Sequence, residues 1–295
     1  MKNVWIVCGP TASGKTSFAI QLAQIRKAEI LSADSRQIYK ELVIGVARPE
    51  PEELAVVPHH FIGAVSIEEE YTVGRFAREA RKWMEIYFQS HDDLVICGGT
   101  GLYIKALLEG VDRMPVPEEL RLEVQEMLDR EGLYFLTQKL REEDPDLFET
   151  IELTNPRRVQ RALEWVLAGK PEKKAPDWPQ TWNVQKLAPD ISRDILYDRI
   201  NLRVDQMMEK GLWEEAQSLF SFRDLNALKT VGYQEIFEAM NGQITRERAI
   251  ELIKQHTRNY AKRQLTWFRK EEEIRWVKPE DQAAILEELS FSQGN

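Results

Sequence analysis

Apolar positions come first in short unbroken runs and later in helical stripes. The runs are residues 4–8 (VWIVC), 28–34 (AEILSAD), 59–65 (HHFIGAV) and 94–99 (LVICGG). Between them the pattern turns to a period of three to four, giving helices from about Lys15 to Arg26 and over roughly 73–89. Runs that read as fully buried strands, alternating with helices, predict a parallel, doubly wound sheet with helices on both faces. Ligand chemistry then belongs at the carboxyl ends of the strands. After Gly110 the stripes are helical through about Leu167, with Pro117 and Pro145 where helices begin. A Pro- and Lys-rich stretch, 168–180 (AGKPEKKAPDWPQ), reads as a loop, WNVQKLA (182–188) as a possible returning strand, and the chain from Ser192 onward as mostly helix. The expectation is an α/β core over 1–112 and 190–295, interrupted by a mostly helical insertion over 113–189.

The first strand runs into GPTASGKT, which fits the phosphate-loop pattern G-x-x-x-x-G-K-[ST] with Gly9, Gly14, Lys15 and Thr16 fixed. Backbone amides of Gly9, Pro10, Thr11, Ala12, Ser13 and Gly14 (proline excepted) and the following helix start would cradle phosphate oxygens. Lys15 adds a charge, and the Thr16 hydroxyl can ligate Mg²⁺. Nucleotide-hydrolysing proteins usually carry a second acid after a later apolar strand. Here that place holds Cys97, Gly98, Gly99, Thr100 and Gly101. An acid appears instead at Asp34, after the second strand, where it either faces the phosphates or acts as a helix N-cap. Arg199 and Arg203 share one helical face, as a solvated stripe or as a clamp on a diphosphate. Residues 257–270 interleave basic side chains with Tyr260, Trp267 and Phe268, which suits either RNA stacking or a helix core.

Composition changes this picture little. The 295 residues are 43% hydrophobic and 30% charged, as in an ordinary soluble protein. No apolar run reaches the roughly 20 residues of a membrane span, and no leader is expected before the first strand. Cys8 and Cys97 read as buried structural thiols in a reducing cytoplasm, and four histidines show no ligand spacing with them. The net charge of −9 argues against nucleic acid, but residues 254–270 hold six Lys and Arg and no acid, with Arg157, Arg158 and Arg161 as a second cluster.

Seven segments, GPTASGKT, ADSRQIY, GGTGLYIKALLEG, NPRRVQRALE, DRINLRV, VGYQE and YAKRQLTWFR, together resemble the tRNA dimethylallyltransferase (isopentenyltransferase) family, in its order and over nearly the whole chain. The resemblance implies a phosphate-loop NTPase-like core and transfer of a dimethylallyl group from dimethylallyl diphosphate to N6 of the adenosine 3′ of the anticodon (A37) in tRNAs reading codons that start with U. Mg²⁺ would assist, and a cytoplasmic monomer is expected. The loop's phosphates would then be a leaving group, which accounts for the missing second acid. Carried over by motif, Asp34 is the general base, Thr100 bonds near the same centre, and Lys15, Thr16 and Arg203, helped by Arg199, hold the diphosphate. Contacts to the anticodon stem-loop fall on Asp34, Ser35, Arg36, Gln37 and Thr100, on Arg121, on Gln160, Arg161, Ala162, Leu163 and Glu164, and on Arg258, Lys262 and Arg263. The segment KELVIGVARP departs from the family's G-x-D-I-G-T-A-K-P at Val43, Val46 and Arg48, so loss of its polar contacts is expected. Rival readings are a phosphate-loop small-molecule kinase using ATP, and an RNA-binding protein with a vestigial loop.

Overall fold

The computed structural model describes residues 2–110, 116–170 and 182–291. In chain order the elements are β1 (Lys2–Cys8), α1 (Lys15–Arg26), β2 (Glu29–Ser32), α2 (Pro51–Val56), β3 (His59–His60), α3 (Val73–Tyr87), β4 (Asp93–Gly98), α4 (Gly101–Glu109), α5 (Glu118–Glu143), α6 (Pro145–Thr150), α7 (Pro156–Leu167), β5 (Trp182–Pro189), α8 (Arg193–Glu209), α9 (Leu212–Ser218), α10 (Tyr233–Met240), α11 (Arg246–Phe268), β6 (Ile274–Val277) and α12 (Gln282–Phe291). The six strands form one parallel sheet in the order β3-β2-β4-β1-β5-β6.

The period of two along each strand explains why both faces are covered. Val4, Ile6 and Cys8 of β1 join Leu31, Leu94 and Ile96 in a core shared with α3, α4, α10 and α11. Trp5 and Val7 point the other way, with Ile30, Val95 and Leu187, into a core closed by Phe18 and Leu22 of α1 and Leu286 of α12. The doubly wound α/β core expected from the sequence is therefore observed.

Three boundaries differ from expectation. The chain divides into a unit comprising 2–109 with 182–291 and a second unit over 110–170 of the described residues. The insertion thus ends before 182 rather than at 189, because β5 is an interior strand of the core sheet, paired with β1 and β6. Its first residues alternate half-buried with exposed, which gave it a weak strand signal. The expected strand 59–65 shrinks to His59–His60, since Phe61 (φ 62°) and Gly63 (φ 56°) take the backbone out of extended geometry. Helix α3 ends two residues early. Most of the loop expected over 168–180 lies outside the described residues.

The second unit, taken by itself, is α5, α6 and α7 around Val124, Leu136, Leu140, Val159 and Leu163. Helix α5 breaks at Gly132, whose φ of 81° no helical residue adopts. Pro117, Pro145 and Pro156 stand at helix starts, where a missing N–H costs nothing.

Candidate active site

Strand order sets the site. Because β2, β4 and β1 are neighbours, the loops leaving their carboxyl ends converge: residues 9–14 after β1, 33–37 after β2 and 99–100 after β4. The approach is close enough to demand glycine: a Cβ on Gly98 would sit 2.2 Å from the Ala33 carbonyl oxygen. Ala33 accepts from the Thr100 amide at 3.3 Å, and the Thr100 hydroxyl accepts from the Ser35 amide at 3.1 Å. Asp34 Oδ1 accepts from the amides of Arg36 (2.9 Å) and Gln37 (3.3 Å). No helix follows Asp34, so its carboxylate fixes a turn rather than capping a helix, and it also lines the cavity described below.

Two helices from the far end of the chain complete the loop. Gln264 of α11, 6% exposed, accepts from the Thr11 amide at 2.9 Å and donates to the Gly99 carbonyl at 2.8 Å. Arg203 of α8 donates to the Thr11 hydroxyl at 3.4 Å, and an Arg199 terminal nitrogen lies 3.7 Å from where a Gly14 Cβ would be. Lys15 Nζ turns back onto the Pro10 carbonyl at 3.2 Å. These groups enclose a cavity of about 390 Å³, in the range of small-molecule sites. Its lining combines Lys15, Asp34 and Arg203 with an apolar wall of Val46, Val204, Met207, Leu212, Val231 and Ile253.

Electrostatics follow from this enclosure. Desolvation lowers the Lys15 pKa, opposed by Cys97 and Asp34, and desolvation likewise lowers that of Arg203. Two cations held short of water are waiting for an anion. Desolvation, then the Asp34 charge, pushes the Tyr260 hydroxyl up to about 12. Burial pushes the Cys97 thiol up to about 11, so it is protonated at neutral pH and no anionic metal ligand. Cys97, half-buried, packs against the core and also lines the cavity, whereas Cys8 is fully buried.

Comparison with known proteins decides the family. The IPP transferase family model matches residues 37–271. The chain belongs to that family. A tRNA dimethylallyltransferase of Cytophaga hutchinsonii is 44% identical over 283 residues, covering 94% of this chain and 93% of the relative. A second, from Christiangramia forsetii, is 44% identical over 284 residues, at 94% and 93%. The crystal structure of a Bacillus halodurans tRNA isopentenylpyrophosphate transferase superposes with a TM-score of 0.72 at 34% identity, covering 98% of each chain. A eukaryotic dimethylallyltransferase described as acting on tRNA gives 0.77 at 26% identity, covering 94% of this chain and 74% of that one.

Within this IPP transferase, the residues carried over by motif divide into two groups. Lys15, Thr16, Asp34, Ser35, Gln37, Arg203 and Arg263 line the main cavity, with Thr100 bonded to Ser35 at its edge. Arg36 reaches the cavity too, but its guanidinium is committed to the carbonyls of Asn226, Ala227 and Lys229. Arg258 braces Asn201 at 2.6 Å. In the second unit Ala162, Leu163 and Glu164 are buried, and Glu164 is paired with Arg161. They pack inside that unit, while Gln160 and Arg161 lie nearer its surface and Arg121 is half-buried. The altered segment is held by bonds internal to the protein. The amides of Val43, Ile44 and Gly45 donate to the Glu215 carboxylate at 2.8–3.2 Å, and Arg48 donates to the carbonyls of Tyr39, Lys40 and Leu42.

Sequence reading passed over Gln264, the placement of Tyr260, and Glu215. The first two had a signal: Ile253, Thr257, Tyr260 and Gln264 follow helical spacing on one face, and all line the cavity. For Mg²⁺, no group of three metal-ligating side chains occurs among the described residues. The Thr16 hydroxyl lines the cavity and makes no hydrogen bond to a described residue. Such a site fits a Mg²⁺ that keeps its waters and is held mainly by phosphate oxygens.

Proposed function

We propose that this chain transfers the dimethylallyl group of dimethylallyl diphosphate to N6 of adenosine 37 in tRNAs that read codons starting with U, releasing diphosphate. It acts on the anticodon stem-loop as a monomer in the cytoplasm; two free cysteines suit a reducing compartment. The observation that carries this reading is the joining of desolvated Lys15 and Arg203 with Asp34 and an apolar wall in one cavity. A kinase needs the cations but not the apolar wall, which suits a five-carbon chain.

An exocyclic amine is a weak nucleophile, so the carbon–oxygen bond must be well broken before attack. Charge on the departing diphosphate is then the main thing to stabilise, by Lys15, Arg203, Arg199 and the loop amides, in a site where their water has already been removed. Thr16 would hold Mg²⁺, which supplies further positive charge on the phosphate oxygens when bound. Asp34, pinned through Oδ1, keeps its second oxygen free to take the N6 proton, a contribution of about 10²–10⁴-fold. Thr100 steadies the Asp34–Ser35 turn. The adenine leaves its stack to enter, at a few kcal/mol. Exposed Lys262 and Arg263, which have no carboxylate partner among the described residues, contact the RNA backbone. The test is to incubate the protein with unmodified tRNA and labelled dimethylallyl diphosphate. Label in adenosine 37 without ATP supports the reading; ATP-dependent phosphorylation of a nucleoside, with no label in RNA, overturns it.

A further inference from the structure

Next to the main cavity lies a second space of about 20 Å³, to which Thr16, Ser32, Gln37, His59 and Cys97 contribute. Thr16, Gln37 and Cys97 line both. The volume suits one water molecule; Ala19, Ile30, Pro49 and Ile62 make much of the wall apolar, and Thr16, Ser32, Gln37 and His59 supply the polar partners a water needs. Its most telling atom is Nε2 of His59, which is buried and has no hydrogen-bond partner. The ring's other nitrogen lies 2.7 Å from the Val57 carbonyl. A carbonyl only accepts, so the proton sits on Nδ1 and Nε2 presents a lone pair. Desolvation holds the His59 pKa below its ordinary value, which keeps the ring neutral at pH 7. A buried acceptor left unpaired costs about 1–3 kcal/mol, so the pocket needs a donor.

Thr16 needs the converse. A hydroxyl that turns a lone pair toward a cation must give its hydrogen to some acceptor, and the acid that could take it after β4 is replaced by protonated Cys97. The Gln37 amide nitrogen is engaged with the carbonyls of Val46 and Ala47, and its oxygen faces the Ser32 hydroxyl at 3.4 Å. His59 Nε2 is the buried acceptor of the second space that makes no hydrogen bond at all, whereas Gln37 Oε1 already receives one.

We infer that one water in this space accepts the hydrogen of Thr16 Oγ1 and donates to His59 Nε2, making His59 the positioning residue for the hydroxyl that meets the diphosphate's cation. The inference rests on the diphosphate reading above. It places an orienting histidine behind the site, a second layer of the kind whose loss typically costs 10–100-fold in metal affinity.

Calorimetry of Mg²⁺ binding to the full chain in the presence of inorganic diphosphate tests it. His59→Phe should weaken Mg²⁺ roughly tenfold, His59→Gln should recover most of that through its amide oxygen, and His59→Phe should add nothing in a Thr16→Val background. A crystal of the unaltered chain should show a water within hydrogen-bond distance of both Thr16 Oγ1 and His59 Nε2, a result that does not depend on any variant folding. Unchanged Mg²⁺ affinity in His59→Phe, equal impairment in His59→Gln, additivity with Thr16→Val, or an empty space in the crystal each overturns the inference alone. If the unaltered chain binds no Mg²⁺ with diphosphate, the diphosphate reading falls with it.

Discussion

Gln264→Leu isolates the bridge that ties helix α11 to the phosphate loop. Leucine keeps a branched side chain, one methylene shorter, while removing both polar atoms. Two backbone groups lose their partners: the Thr11 amide, 2.9 Å from the Gln264 oxygen, and the Gly99 carbonyl, 2.8 Å from its nitrogen. Each orphaned buried group costs about 1–3 kcal/mol. The Gly99 bond is buried and takes the upper part of that range, while the Thr11 amide borders the cavity and recovers some hydration. The expected loss is therefore about 3–4 kcal/mol of stability in the core unit, read as a fall in the urea midpoint at constant slope. Function should suffer separately, because Thr11 also anchors Arg203. A displacement of about 1 Å at a reacting centre can cost 10²-fold, so kcat should fall by that order while tRNA affinity holds. A midpoint shift worth under about 1 kcal/mol with kcat within twofold of the unaltered enzyme would refute the idea that this bridge sets the loop.

Three further outcomes are expected. Asp34→Asn should lower kcat at least about a hundredfold with tRNA affinity nearly unchanged, measured by single-turnover transfer and filter binding; near-normal turnover would remove Asp34 from the base role. Arg263→Ala should weaken tRNA binding and reduce the slope of log affinity against log salt by about one, leaving the donor KM alone. The Lys15 pKa lies below its ordinary 10.5, mainly through desolvation. Between that lowered value and 10.5 the unfolded chain binds more protons than the folded one, so this group's contribution to stability rises with pH across that window. Diphosphate reverses the desolvation penalty, so its binding there should take up a proton and weaken as pH rises; calorimetry in buffers of different ionisation enthalpy would show the uptake, and proton release would contradict the sign.

Local rules determined much of this protein. Runs of four to six apolar residues had to be strands buried on both faces, and Pro117 and Pro145 could stand only at helix starts. The phosphate loop declared itself because its chemistry is carried by consecutive amides of one short segment. The Arg199–Arg203 pair also survived intact, since four residues of helix keep two side chains on one side whatever they meet. Where that side points was decided by tertiary structure, as was the joining of Gln264 to Thr11 across 253 positions. So was the burial of Ala162, Leu163 and Glu164, which by sequence alone stood beside exposed arginines as equal candidates. Polar side chains and a partly exposed strand such as β5 carry no periodic signature strong enough to reveal their partners. Their roles are set by what the fold brings opposite them, and a buried amide such as Gln264 acquires its meaning only when two distant backbone groups would otherwise be left without hydrogen bonds.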